Sequence, residues 1–327
     1  MQTGSDSSLV FIDTEGLEVL GKGIGGIVYK LNDEQILKVF FEKRSLESFE
    51  KMFSDARTAF IHGIPTEISF GVALTKDGIG IIYERLAYDL LAQRIHADPE
   101  NISKYAGMMV EASRKLSSVD MAYTGLKSYK EEIRSDLSNV DEFLPSDTIK
   151  LINKYLDVIP ERFTCVHGDY HASNIILMGD EVTLIDMDDF GYGHPVWDLA
   201  SLVPVYQVLP NDKDFVRSVL EVPSGIRHED FFLKLHNLSV NEANELFRSF
   251  MDIYFEGVSQ SQKKNYLRLI RLYADILLIR YINLFAHREG ECGEKIEGKK
   301  AFLHKYEHEL RTYDVSNVKE MFAGWSF

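Results

Sequence analysis

The chain has 327 residues, 45% of them apolar and 27% charged, which is the composition of an ordinary globular protein with length enough for two cores of moderate size. A formal charge of −15 without any dense Lys/Arg tract speaks against a nucleic-acid partner. Cys165 and Cys292 make no disulfide framework, the polar start Met1 to Ser8 lacks the form of a secretion signal, and the apolar run Ile276 to Phe285 is interrupted and too short to span a bilayer; a cytoplasmic protein without membrane contact is expected.

The first patterned segment is Val19 to Phe40. Gly21, Gly23 and Gly26, followed by Val28, form Gly-x-Gly-x-x-Gly-x-Val, in which bare backbone can come close to phosphate groups. A dinucleotide-dependent oxidoreductase uses the same glycines, but the last of them then opens a helix. Here Ile27 to Leu31 and Gln35 to Phe40 are β-rich runs around Asn32-Asp33, so the glycines belong to a hairpin. Lys38 sits on the second run among strand-forming apolar residues. A helix is predicted over 45–62, with Leu46, Phe49, Phe53, Ala56 and Phe60 at helical spacing behind a Ser45 N-cap. Gly63-Ile64-Pro65 stops it. Strands follow around Ile68 to Ala73 and Gly78 to Tyr83, and the second runs into Glu84-Arg85-Leu86. Residues 100–160 read as helices, with Leu116, Tyr123, Leu137, Phe143, Leu151 and Leu156 as core.

Residues 164–201 carry the densest chemistry. Thr164 to Val166 is an apolar run entering the turn His167-Gly168-Asp169, where a side chain can face a cleft. Asn174 ends that loop. Ile175 to Leu177 and Val182 to Ile185 read as a hairpin turning at Met178-Gly179-Asp180, which brings Asn174 and Asp186 to adjacent strand ends. A carboxamide oxygen and a carboxylate there are hard donors suited to Mg²⁺, and Asp169, one loop away, is placed to accept a hydroxyl proton. His167 and His171 stand four apart, as zinc ligands on a helix would, but a glycine turn lies between them and no His-Glu-x-x-His is present. His167 fits better as a backbone partner, and His171 as a neighbour of substrate.

These motifs resemble the aminoglycoside phosphotransferase and choline kinase group, small-molecule relatives of protein kinases, in which His-Gly-Asp-x-x-x-x-Asn and Ile-Asp-x-Asp replace His-Arg-Asp-x-x-x-x-Asn and Asp-Phe-Gly. The resemblance implies an α+β, protein-kinase-like, two-lobed fold: a small β-rich lobe over 1–86 and a larger, mainly helical lobe over 87–327. It implies ATP and Mg²⁺ as nucleotide and metal, with Asp169 as catalytic base or hydroxyl positioner and Asn174 and Asp186 as metal ligands. The glycine loop and Lys38 would grip phosphates, and a carboxylate on the helix after Lys38 would pair with it. Glu50 and Asp55 are the two candidates, with Glu50 preferred for its reach. Backbone groups of Glu84 to Leu86 would meet adenine, and Asp198, in His-Pro-Val-Trp-Asp-Leu-Ala, would anchor the catalytic loop and cap a helix. Asp189-Phe190-Gly191 spells the protein-kinase metal motif but lies beyond the strand end. Asp188 and Asp189 are therefore candidates for a second metal or a substrate hydroxyl or amine, with a solvated turn the alternative for Asp189.

From 241 onward the chain is helical again, over Asn241 to Gly257, Lys263 to Phe285 and Gly298 to Tyr313, and aromatics such as Phe250, Tyr254 and Tyr273 read as core. In the resembled family this region builds the acceptor pocket, where Asp252, Glu256 and Asp275 could bind an amine. The expected activity is transfer of a γ-phosphate to the hydroxyl of a small molecule: an aminoglycoside, choline or ethanolamine, homoserine, thiamine or a ketoamine. The alternatives are a catalytically silent nucleotide-binding regulator of the same fold and a protein Ser/Thr kinase. The second is disfavoured by the short connection from Asp186 to Asp198, which leaves little chain for a peptide-docking platform.

Overall fold

The computed structural model describes residues 9–23, 25–41, 45–86, 88–138, 144–220, 222–286 and 293–325. It divides into two compact units, Met1–Asp89 with Ile175–Asp188, and Leu90–Asn174 with Asp189–Phe327.

In the first unit β1 (Val10–Phe11), β2 (Val19–Lys22), β3 (Gly26–Lys30), β4 (Gln35–Phe40), β5 (Ser69–Thr75) and β6 (Gly78–Glu84) form one sheet in the order β1-β5-β6-β4-β3-β2. Only β1 and β5 run parallel. The two-residue period of β4 decides what each face carries. Leu37 and Val39 pack with Tyr29 and Ala73 on one side; Ile36 and Phe40 pack with Phe49, Met52 and Ile81 on the other. Lys38 therefore shares the second face, the one covered by α1 (Leu46–Ile61).

Helix α1 starts as its sequence predicts, with the Ser45 hydroxyl accepting from Ser48 N. Its buried stripe runs through Phe49, Met52, Ala56 and Ala59, so the expected core residue Phe60 is turned outward and lies 48% exposed. At the β2–β3 turn no helix opens at Gly26, which removes the dinucleotide-fold reading. A Cβ on Gly26 would fall 2.3 Å from Val39 O, so this glycine lets β3 lie against β4; Gly21 and Gly23 face open space.

The second unit opens with α2 (Leu91–Ala97), α3 (Ile102–Ser118), α4 (Tyr129–Ser138), α5 (Ser146–Asp157) and β7 (Thr164–Val166). The chain then contributes β8 (Ile175–Met178) and β9 (Glu181–Leu184) to the first unit as an antiparallel hairpin with Gly179 at φ 66° in the turn. Leu184 holds this hairpin to the segment after α1: its N–H donates to Pro65 O at 2.7 Å and its carbonyl accepts from Glu67 N at 3.2 Å. The chain order alone would leave the hairpin with the helical part.

Returning to the second unit, β10 (Gly191–Gly193) pairs with β7, and α6 (Val196–Val203), α7 (Lys213–Val219), α8 (His228–His236), α9 (Val240–Tyr254), α10 (Gln260–Ala286), α11 (Gly293–Leu310) and α12 (Val315–Phe322) follow. Every residue of α6 is buried, as its nearly unbroken apolar sequence requires, and α6 packs on α10 while α3 packs on α9. Leu116, Leu137 and Leu156 are core as expected. Tyr123 is not. It sits fully exposed with φ 66° in a turn, because residues 119–128 form a loop where helix periodicity does not apply. Phe143 lies outside the described residues. Among the described residues no helix is long and apolar enough to cross a membrane.

Candidate active site

In the first unit the chemistry gathers around Lys38. Its Nζ lies 2.6 Å from Asp186 Oδ1 and 2.5 Å from Asp188 Oδ2, a double ion pair joining β4 to the segment that follows β9. Burial works against the charge on Lys38, yet the two carboxylates outweigh it and hold the ammonium protonated well above the ordinary lysine range. Asp188 feels burial and then the Asp186 charge beside it, which raise its carboxyl far above normal despite Lys38. Its second oxygen, Oδ1, is buried without a hydrogen-bond partner among the described residues.

The carboxylate expected on α1 does not meet Lys38. Glu50 is exposed, since it stands about 100° around the helix from Phe49, whereas Asp55 is buried and paired with Lys51 at 2.9 Å. A third acid, not anticipated from sequence, is Glu67. It is 8% exposed, and its Oε1 accepts from Asp186 N at 3.2 Å. Burial raises its carboxyl to about 7, with the Asp186 N–H and Lys38 pulling the other way. At the end of β6, Glu84 N and Arg85 N donate to Ile68 O and Glu34 O, which leaves Leu86 N as the amide without an acceptor among the described residues.

In the second unit the loop after β7 is built around Asp198. Its carboxylate accepts from His167 N at 3.0 Å and from Gly168 N at 2.9 Å. Asp198 stands in the first turn of α6 behind Pro195, so it anchors the loop without being the helix cap. Tyr170 N donates to Ser201 Oγ and Ala172 N to the Tyr206 hydroxyl, so α6 and the residues after it hold the loop at four amides. Gly168 takes φ 87°, and a Cβ there would meet Tyr129 and Asp189 at 2.7 and 2.8 Å.

The result presents Asp169 with its carboxylate partly open, 39% exposed. Asn174 Nδ2 donates to Asp169 O at 2.9 Å and Oδ2 at 3.1 Å, and His171 Nε2 stands 3.4 Å from the same oxygen. Burial would raise this carboxyl, but the imidazole of His171, and then those of His167 and His236, hold it well below the usual range. Asp169 is thus an ionised acceptor at neutral pH. His167 Nδ1 accepts from Asp169 N, the backbone role expected of it.

Asp189 is partly exposed but not free: Arg280 of α10, only 3% exposed, lies 3.5 Å from it and 2.6 Å from Asp136. The Arg280–Asp189 pair escaped the sequence reading because Arg280 looked like a mere interruption of an apolar run. Of the other acids considered, Asp252 pairs with Lys263 on a cleft of about 640 Å³ along α9 and α10, Glu256 is exposed, and Asp275 is buried beside Arg271.

The model of the phosphotransferase enzyme family matches residues 17–222, nearly two thirds of the chain and the whole of the motif-bearing region. The chain belongs to that family. No curated protein matches this phosphotransferase-family sequence. Among solved structures it is similar to a choline/ethanolamine kinase family protein from Mesorhizobium loti, with TM-score 0.56 and 14% identity over 94% of this chain and 92% of that one. The gentamicin complex of APH(2'')-IIa gives TM-score 0.53 and 15% identity over 93% of both chains. The GDP and kanamycin complex of APH(2'')-IIia gives TM-score 0.53 and 14% identity over 90% of this chain and 94% of that one. At such identities the likeness is one of fold, and it extends over nearly the full phosphotransferase chain. The α+β kinase-like architecture is thereby shared.

Proposed function

We propose that the protein is an ATP- and Mg²⁺-dependent phosphotransferase that moves the γ-phosphoryl group to a hydroxyl of a small amino-alcohol or aminosugar in the cytoplasm. The observation that carries this reading is the convergence of Asp186 and Asp188 on one cation, the Lys38 ammonium, in a chain whose catalytic-loop aspartate is ionised. Oxygens of two acidic side chains already arranged about a positive charge, with Asp188 Oδ1 lacking a hydrogen-bond partner among the described residues, fit a hard divalent ion. Asp186 and Asn174 would hold it, and when bound it would neutralise charge on the nucleotide phosphates. Lys38 would then turn its ammonium to the phosphates, the open backbone at Gly21 and Gly23 would lie over them, and Glu84 O with Leu86 N would bond the adenine edge.

Asp169 orients the acceptor hydroxyl and takes its proton as the new O–P bond forms and ADP departs. Asn174 Nδ2 and His171 fix the carboxylate for that task. The acceptor class follows the solved relatives, one a choline/ethanolamine kinase family protein and others holding gentamicin or kanamycin. Asp188 would hold Lys38 and Asp189 would hold Arg280, and both remain candidates for a second metal or an acceptor contact.

The test is ADP release with Mg-ATP against aminoglycosides, choline, ethanolamine, homoserine, thiamine and sugars, for wild type beside Asp169→Asn. Acceptor-stimulated turnover reduced about a hundredfold or more in the variant, at unchanged nucleotide affinity, is expected from loss of a positioned base. Turnover indifferent to Asp169→Asn refutes the mechanism.

A further inference from the structure

We infer that Glu67 is a positioning residue for the metal-binding turn at Asp186, an inference that rests on the phosphotransferase reading above. Asp186 is a non-glycine residue at φ 62°, in the left-handed region that L side chains adopt at a cost. Something must hold it there. Its N–H donates to Glu67 Oε1 across 119 residues of sequence.

Glu67 is itself fixed on both sides. Its own N–H donates to Leu184 O, Leu184 N donates to Pro65 O, and Thr66 pairs with Leu184 as an isolated bridge. The last residue of β9 is thus clamped two positions before Asp186, and the Glu67 carboxylate then catches the amide of Asp186. Setting that amide sets the direction of the Cα–Cβ bond, and with it the carboxylate that reaches Lys38 at 2.6 Å. Among the described residues Glu67 makes no ion pair with Lys38 within hydrogen-bond distance; it acts through Asp186. It thereby takes the ordering role that the sequence had led one to seek on α1, from a loop residue beyond that helix.

A buried glutamate that merely closes a turn would contribute stability without favouring the metal-bound nucleotide, and the two roles separate by measurement. Full-length wild type, E67Q, E67M and E67A are titrated with a fluorescent ATP analogue in Mg²⁺ and in EDTA, and with Mn²⁺ in the presence of ATP by electron paramagnetic resonance. E67Q keeps an acceptor oxygen; E67M keeps the volume and loses the acceptor, which guards against a variant that fails only by cavity formation. Expected is a loss of about ten- to a hundredfold in the metal-dependent part of nucleotide affinity for E67M and E67A, with affinity in EDTA within about twofold and E67Q close to wild type.

E67M and E67A with the wild-type ratio of affinities overturn the inference, and so does E67Q falling as far as E67M. A wild type that gains nothing from Mg²⁺ overturns the phosphotransferase reading and this inference with it. If wild type gains and E67M gains equally, the inference alone falls.

Discussion

Gly168→Ala places one methyl group where the catalytic loop has no room for it. At φ 87° an L side chain costs about 1–2 kcal/mol on backbone grounds alone. The added Cβ would stand 2.7 Å from Tyr129 Cε2, 2.8 Å from Asp189 Cβ and 2.9 Å from Asp189 O. Tyr129 is fully buried with its hydroxyl bonded to Gly168 O, and Asp189 is tied to Arg280, so none of these atoms is the loose end of a flexible side chain. Overpacking of this kind adds about 1–3 kcal/mol, for a total of roughly 2–5 kcal/mol. Gly107, inside α3 with open space around it, is the internal control: Gly107→Ala should stabilise by about 0.8–1 kcal/mol through helix propensity. Urea unfolding followed by circular dichroism and by tryptophan fluorescence measures both, Trp197 lying one residue from Asp198 in α6. Destabilisation of Gly168→Ala below about 0.5 kcal/mol, the level of an ordinary surface change, would refute the steric argument.

Two further outcomes follow from buried charge. Arg280→Met should destabilise by about 3–5 kcal/mol by leaving Asp136 and Asp189 without their cation, and Arg280→Met with Asp136→Asn should recover part of that loss in a double-mutant cycle; strict additivity would sink the pairing. Burial pushes the Asp275 carboxyl up to about 7, with Arg271 at 3.0 Å opposing it. Because the folded value lies above the unfolded one of 3.8, the associated stability is fully present below pH 4 and lost as pH rises through 7, on the order of 4 kcal/mol. Asp275→Asn should flatten the stability profile between those limits, and a profile as steep as that of wild type would contradict it.

The parts legible in the sequence are those set by short-range physics. Gly179 and the β-rich runs on either side specify the β8–β9 hairpin, in which Ile175 faces Leu184 as the chain order predicts. Two-residue periodicity in Gln35–Phe40 separates Lys38 from the Leu37 and Val39 face, and Ser45 marks the start of α1. What failed was the sense of rotation. Phe60 continues the spacing of Leu46, Phe49, Phe53 and Ala56, but the buried stripe runs through Met52 and Ala59, and a helix turns 100° per residue, so Phe60 beside Ala59 and Glu50 beside Phe49 face outward. Tyr123 failed for the opposite reason, since its stretch has no period to read.

Sequence by itself determined the family, the strand-and-helix order and the identity of the loop that carries Asp169, because turn chemistry and apolar spacing are local and are written in consecutive residues. Tertiary structure decided the partners of the charges. Lys38 meets Asp186 and Asp188 across 148 and 150 residues, Asp186 meets Glu67 across 119, and Arg280 meets Tyr129 across 151. A charge has no periodicity and attracts in every direction, so its partner is known only once the backbone has brought the two together.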